Sequence, residues 1–226
     1  MRRIAAALLC ALLLLFSCAS AEEGFAPLRF CLWGNLSRGY AWSCEYQRNG
    51  VLSDPMQDFV ADAGGDGTFE YHFGIESPGQ AQIIFNYGPN LGISAPLQTI
   101  LCTVTALDSG EVFTFWAQSY ADDGTIMFVL PTNPTSGMTW NYAGDDSGVV
   151  RLLSEEYVAE FADLEGAGGQ TTYLFRAEQP GDTLLMFNYS DMWNPYAAAE
   201  QTYAARVHVG ENMEISLAVE NSWGGG

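Results

Sequence analysis

Phe73-Gly-Ile-Glu-Ser-Pro-Gly-Gln-Ala-Gln-Ile-Ile-Phe-Asn-Tyr87 and Phe175-Arg-Ala-Glu-Gln-Pro-Gly-Asp-Thr-Leu-Leu-Met-Phe-Asn-Tyr189 are the stretches whose comparison decides the fold. Seven of the fifteen positions are identical: Phe, Glu, Pro, Gly, Phe, Asn and Tyr. Working outward, the match continues. Asn35-Leu-Ser-Arg-Gly39-Tyr-Ala-Trp42 aligns with Asn133-Pro-Thr-Ser-Gly137-Met-Thr-Trp140, and Gly64-Gly-Asp-Gly67 with Gly166-Ala-Gly-Gly169. The run from Gln98 to Ala106 aligns with that from Gln201 to Val209. Four blocks in one order imply an internal duplication, and a repeat of this length sets the domain count at two.

Each copy reads as short strands. Apolar residues alternate in Leu28–Leu32, Tyr71–Ile75, Ile126–Leu130, Thr172–Phe175 and Tyr203–Val209, the period of a half-buried strand. Pro78-Gly79 and Pro180-Gly181 couple a fixed φ to a free one and are expected to close hairpins. The only helix-tolerant stretch is Ser154–Leu164, with its counterpart Met56–Asp62, where at most a turn of helix is expected. Strands at this spacing without amphipathic helices between them indicate an all-β chain of two tandem antiparallel sandwiches. The expected division is a signal peptide at 1–21, a first sandwich at 22–107, a second at 108–212, and a strand and tail at 213–226. The second copy has an extra leading strand, Glu111–Ala117. The alternation in Met213–Val219 is expected to complete one of the sheets, with the first domain's as a candidate. Ser222–Gly226 reads as a loose end.

Composition narrows the function. Apolar residues make up 48% and charged residues 15%, too hydrophobic for a disordered chain. The net charge is −19, with no Lys among the eight basic residues; loss of Arg2 and Arg3 with a leader makes it −19 − 2 = −21. Such a chain repels phosphate backbones and anionic lipids, which argues against nucleic-acid binding. Met1-Arg2-Arg3, the apolar run Ile4–Phe16 and the small-x-small Ala19-Ser20-Ala21 read as a secretory signal ending before Glu22. Leu15-Phe16-Ser17-Cys18 also resembles a lipobox, which would anchor the product through a lipidated Cys18. No other stretch is long enough to span a membrane.

Beyond the leader, Cys31, Cys44 and Cys102 remain, an odd number, so at least one thiol is free or pairs between chains. Cys31–Cys44 is the candidate bridge, and closing that loop would contribute about 3 kcal/mol. Cys102 alternates with Ile100 and Val104 and reads as a buried small hydrophobe. His72 and His208 lie in strand-like runs, and neither sits in an activating motif. There is no triad signature, CxxC, HExxH or phosphate-binding loop. Asp122-Asp123 and Asp145-Asp146 read as solvated turn residues rather than calcium ligands. No catalytic residue, metal or cofactor is expected, and the chain is not read as an enzyme.

Three loops remain. In Asn133-Pro134-Thr135-Ser136-Gly137-Met138, Pro134 pushes Asn133 into an extended conformation and Gly137 lets the chain turn back. Gly166-Ala-Gly168-Gly169 lacks β-carbons that would keep a partner backbone away. Ser190-Asp-Met-Trp193-Asn-Pro195 carries a tryptophan where solvent is expected, a candidate interface anchor. Taken alone, the first is an ordinary strand connection, the second is equally a plain turn, and in the third Trp193 could instead cap its own sandwich.

Together they resemble chagasin-type inhibitors of papain-like cysteine proteases: Leu130…Asn133-Pro-Thr135-x-Gly137-x-x-Trp140, then Gly166-x-Gly168-Gly169, then Phe175…Gly181…Tyr189…Trp193. The resemblance covers residues 110–210, with a degenerate copy over 25–107. It implies an immunoglobulin-like sandwich with the three loops at one end, entering the protease cleft as a wedge. Thr135 would sit beside the catalytic cysteine, Gly168 and Gly169 along the substrate channel, and Trp193 on the leaving-group side. It implies reversible, steric inhibition without cleavage, with a papain-like cysteine protease as partner; the exported chain is expected to be a monomer. The chain departs from the pattern at Asp191 and Met192, where the family has Arg-Pro, and at Met138, usually aromatic. In the first copy, Leu36-Ser37-Arg38, Asp66 and Gly88-Pro89-Asn90-Leu91 replace the family residues. The alternative is a secreted or surface binding module on the same sandwich without inhibitory activity.

Overall fold

The structure is a computed structural model that describes residues 26–89, 95–144, 146–159, 168–194 and 198–219. The expected leader at 1–21 with Cys18, together with Asp145, Gly166, Pro195 and the Ser222–Gly226 tail, lies outside the described residues. The chain folds as two compact units. One takes the described residues up to Pro96 with Val104–Phe113; the other takes Leu97–Thr103 and the described residues from Thr114 onward.

Among the described residues all regular elements are strands apart from two short 3-10 turns. In the first unit, β1 (Leu28–Gly34), β4 (Gly67–Phe73) and β3 (Met56–Ala61) form one antiparallel sheet, in the order β1-β4-β3. β2 (Tyr40–Tyr46) pairs with β5 (Gly79–Pro89) opposite it. β6 (Gln98–Ala106) and β7 (Val112–Tyr120) each have residues in both units. In the second unit, β10 (Val150–Ala159), β11 (Gly169–Ala177), β8 (Thr125–Thr132) and β7 are neighbours in that order. The facing sheet runs β14 (Ile215–Val219), β13 (Gln201–Val209), β12 (Gly181–Asp191), β9 (Met138–Tyr142). The fold is thus the antiparallel β-sandwich the alternation predicts. Strand β1 alternates buried and exposed at every step, and β4 and β11 bury every second residue.

The core of each unit is aromatic, and the two units make corresponding contacts. Phe128 lies 5.0 Å from Phe187, and Phe30 lies 5.1 Å from Phe85. Tyr173 stands 4.9 Å from Phe187, and Tyr71 stands 5.1 Å from Phe85. These centroid spacings suit offset and edge-on ring packing. The Trp140 indole N–H donates to the Pro131 carbonyl (2.7 Å), as that of Trp42 donates to Trp33 (2.8 Å). The Tyr173 hydroxyl donates to the Trp140 carbonyl (2.9 Å), as that of Tyr71 donates to Trp42 (3.2 Å). Burial, aided by Glu155, holds the Tyr173 phenol well above the ordinary tyrosine range, so it stays a donor.

Three expectations are corrected and one is narrowed. The Pro-Gly pairs do not close hairpins: β4 and β5 lie in different sheets, as do β11 and β12, so each pair carries the chain across the sandwich. Gly79 (φ 140) and Gly181 (φ 148) make that crossing beside Val51 and Val149, whose methyls a β-carbon would meet at 2.8 Å. Where at most a turn of helix is expected, Ser154–Ala159 and Met56–Ala61 hold none, and residues 160–164 lie outside the described residues. They are strand residues laddered to β11 and β4; a bulge between Leu152 and Ser154 blurs the alternation of β10, whereas β3 is an edge strand exposed along nearly its whole length. The C-terminal strand joins the second unit, because a tight turn returns it along β13. The Gly210 N–H donates to Glu214 (2.9 Å) and that of Met213 to Gly210 (2.9 Å), matching Leu107–Glu111 (2.9 Å) and Gly110–Leu107 (3.0 Å). Cys31 and Cys44 do not bridge. Cys31 faces outward from β1 opposite Glu70, whereas Cys44 lies on β2 opposite Phe85, in the other sheet. Cys102 is buried as expected.

Two outcomes are expected. Trp140→Phe leaves the Pro131 carbonyl without its donor and should destabilise the protein by about 1–3 kcal/mol in chemical denaturation, with Trp42→Phe acting in the same direction. Burial, then Glu45, pushes the Cys44 thiol up to about 12, and burial alone pushes Cys102 up. In alkylation followed by peptide mapping, exposed Cys31 should therefore label first, with Cys44 roughly tenfold slower or more and Cys102 labelled only on unfolding.

Candidate functional site

Residues 133–138 connect β8 to β9 at one end of the second sandwich. The local sequence dictates their shape. Pro134 opens a 3-10 turn spanning Pro134–Ser136, with Asn133 extended before it (φ −127, ψ 88) and Gly137 left-handed after it (φ 81). The Asn133 carboxamide oxygen accepts from the Thr135 amide (3.2 Å) and the Thr135 hydroxyl (2.6 Å). The Ser136 hydroxyl donates to the Asn133 carbonyl (2.6 Å), and the Gly137 amide to that of Pro134 (3.0 Å). This is an Asx-type turn in which both side-chain hydroxyls are tied back to the chain, so Thr135 and Ser136 are exposed in a fixed conformation.

The third loop lies directly against the first. β12 pairs with β9 out to Asp191 opposite Met138, and beyond it the Met192 amide donates to the Gly137 carbonyl (2.9 Å). Asp191 turns the chain: its carboxylate accepts from the Trp193 amide (2.8 Å). The Trp193 ring then lies over Gly137, where a β-carbon would collide with it. Its outer surface stays open: Trp193 is 76% exposed and Met192 48%. Asn141 and Ser190 add a side-chain bond across the base (3.0 Å).

The glycine segment reaches the same end from the other sheet. Gly169 stands opposite Thr132 in the β11·β8 ladder, and Gly168 lies just beyond it, close to the Thr132 carbonyl. The two strand ends are joined by the buried Thr132 and Thr171 hydroxyls (2.7 Å). The two glycines differ. A β-carbon on Gly169 would strike the Val158 carbonyl and the Tyr157 ring, so the fold itself requires glycine there; Gly168 has no comparable obstruction.

Thus Asn133, Pro134, Thr135, Ser136, Gly137, Met138, Gly168, Gly169 and Trp193 gather at one end of the second unit, while Gly166 lies outside the described residues. Beneath them Trp140 is buried, its ring 5.0 Å from Tyr189 and its N–H on Pro131, forming the floor of the tip. Sequence reasoning missed two contributors. Asp191 stands in the family's usual arginine position, yet here it builds the turn that presents Trp193; the Asp-x-Trp spacing of an Asx turn was the available signal. Tyr157, 44% exposed, covers Gly169, and nothing in an exposed edge strand marked it out.

The first unit keeps the turn but not the site. Asn35 precedes a 3-10 turn at Leu36–Arg38, and Gly39 is left-handed (φ 81). Asp66, in Gly168's place, accepts from the Ser37 amide (3.0 Å) and so occupies the space between these two loops.

Residues 121–207 match the family model described as Chagasin family peptidase inhibitor I42, a span that contains all three loops. No curated protein and no solved structure matches the chain. The matched span lies within the second unit, and the family that model describes consists of peptidase inhibitors.

Gly137→Ala should displace the Trp193 indole, detected as a shift of its N–H resonance assigned through Trp193→Phe. Gly39→Ala, with nothing within 4 Å of the added carbon, should leave that resonance in place. Both substitutions should cost about 1–2 kcal/mol for a side chain in the left-handed region.

Proposed function

From the match of residues 121–207 to the chagasin family model, we propose that the protein is an exported, reversible inhibitor of papain-like cysteine proteases whose second unit plugs the substrate cleft. The observation that carries this reading is an indole left 76% exposed on a turn fixed by backbone and side-chain hydrogen bonds. A tryptophan held open at a rigid tip is the kind of anchor that dominates protein interfaces. Loop order is set before docking, so little conformational entropy remains to be lost.

In this reading Thr135 meets the protease's catalytic cysteine. The chain there is a 3-10 turn closed by the Ser136 and Gly137 amides, not the extended peptide a protease cuts, and that explains inhibition without cleavage. Gly168 takes the close backbone approach along the substrate channel, while Gly169 serves the fold. Trp193, backed by Met192, packs on the leaving-group side. Asp191 contributes by shaping the turn. The first unit is a second copy of the sandwich whose tip is closed by Asp66 and which acts as scaffold. Export follows from the leader at 1–21, with release at Ala21 or lipid anchoring at Cys18 as its two possible ends.

The test is titration of the purified protein against a panel of papain-like proteases. The wild type should inhibit reversibly and remain uncleaved. Trp193→Ala should weaken inhibition by about thirtyfold, equivalent to about 2 kcal/mol, and Thr135→Arg should weaken it at least as much. Both substitutions fall on exposed residues, so circular dichroism should be unchanged. If folded wild-type protein inhibits no member of the panel, or if both variants inhibit as well as the wild type, the reading fails.

A further inference from the structure

Strand β8 of the second unit is flanked on both sides, by β11 and by β7. Its counterpart β1 pairs with β4 on one side, and among the described residues no strand pairs with its other edge. The C-terminal strand, which the sequence left available for the first sandwich, is committed to β13. An open edge of seven residues is a template for strand addition.

The chemistry of this edge suits a second copy of itself. Cys31 is the central residue of Leu28–Gly34, faces outward and is free. In an antiparallel pair of β1 strands centred on Cys31, Leu28 falls opposite Gly34, Arg29 opposite Trp33, and Phe30 opposite Leu32. Arg29, Cys31 and Trp33 share the exposed face, so the two cysteines meet on the symmetry axis with an Arg–Trp pair on either side. Directly opposed residues in such a ladder have Cα atoms about 4.5 or 5.5 Å apart, and both values lie in the range a disulfide requires. Trp33 is 48% exposed, and pairing would cover it with a guanidinium that Glu70 already holds in place at 2.9 Å. The net charge of −19 opposes association, yet β1 contains no acidic residue in a chain with 27 of them.

We propose that the protein forms a two-fold dimer through β1, locked under oxidising conditions by a Cys31–Cys31 disulfide between copies. This replaces the monomer expected from the sequence, and it does not depend on the inhibitory reading. The oxidant is a low-molecular-weight disulfide. One Cys31 thiolate attacks it and forms a mixed disulfide, releasing one small thiol. The partner's Cys31 thiolate then attacks the protein sulfur, releasing the second. Two S–H bonds and one S–S bond are broken, one S–S bond forms between chains, and the small disulfide takes up the two electrons and the two protons.

The experiment incubates purified protein with a glutathione redox buffer and follows it by non-reducing electrophoresis, light scattering and peptide mapping. Wild type should become a covalent dimer whose linked peptide is Cys31–Cys31. Cys31→Ser should give no covalent dimer. Trp33→Lys keeps the thiol but sets a cation against the partner's Arg29, and should slow cross-linking about tenfold or more with the circular dichroism spectrum unchanged. A wild type that stays monomeric overturns the proposal, as does a link through another cysteine. Cross-linking of Trp33→Lys at the wild-type rate would equally overturn it, reducing the disulfide to an encounter of exposed thiols.

Discussion

A β-carbon on residue 137 and the indole of Trp193 cannot occupy the same space, and the tip of the second sandwich is arranged around that exclusion. Gly137 must be glycine twice over: it adopts φ 81, and its bare face is the bed on which the ring lies. Its carbonyl holds Met192, Asp191 holds the Trp193 amide, and Asn133 holds Thr135 from the other end of the same turn. None of these hydrogen bonds is strong alone, each contributing about 1 kcal/mol. Together they fix two loops 50–60 residues apart in the chain as one surface.

The framework explains why the tip can be that rigid. Trp140 donates from its indole to Pro131 and accepts at its backbone carbonyl from Tyr173, so one buried residue of β9 is tied to both β8 and β11 directly beneath the loops. The first unit has the same arrangement around Trp42, which shows that the tryptophan belongs to the sandwich and not to the site. What separates the units is the exposed chemistry. One tip presents Thr135, Gly168 and Trp193; in the other, Asp66 reaches across to Ser37.

Much of this was legible in the sequence, and the misses have physical causes. Period-two alternation located β1, β4, β8, β11 and β13, because their inner residues are buried with little ambiguity. Pro134 and Gly137 announced the turn between them, because both residues restrict or release φ. The alternation failed at Ser154–Ala159, where a bulge shifts the register and both faces are partly solvated. The Pro-Gly pairs gave the turn but not its destination, since a local φ preference does not say whether the next strand joins the same sheet. Cys31 and Cys44 are close in sequence, but only tertiary structure reveals that they lie in different sheets. Asp191 read as the loss of a family arginine, because its bond to the Trp193 amide is invisible until the turn is formed.

The claim that this surface is a plug can be tested at the protease's own nucleophile. The measurement is the rate at which an alkylating agent modifies the active-site cysteine of an inhibited papain-like protease, with and without a stoichiometric amount of the full protein. If the tip fills the cleft, alkylation should fall to the rate set by dissociation of the complex and recover on dilution. Alkylation at the free-enzyme rate while hydrolysis of a peptide substrate is inhibited would contradict the account, since the cysteine would then be uncovered and inhibition would arise elsewhere.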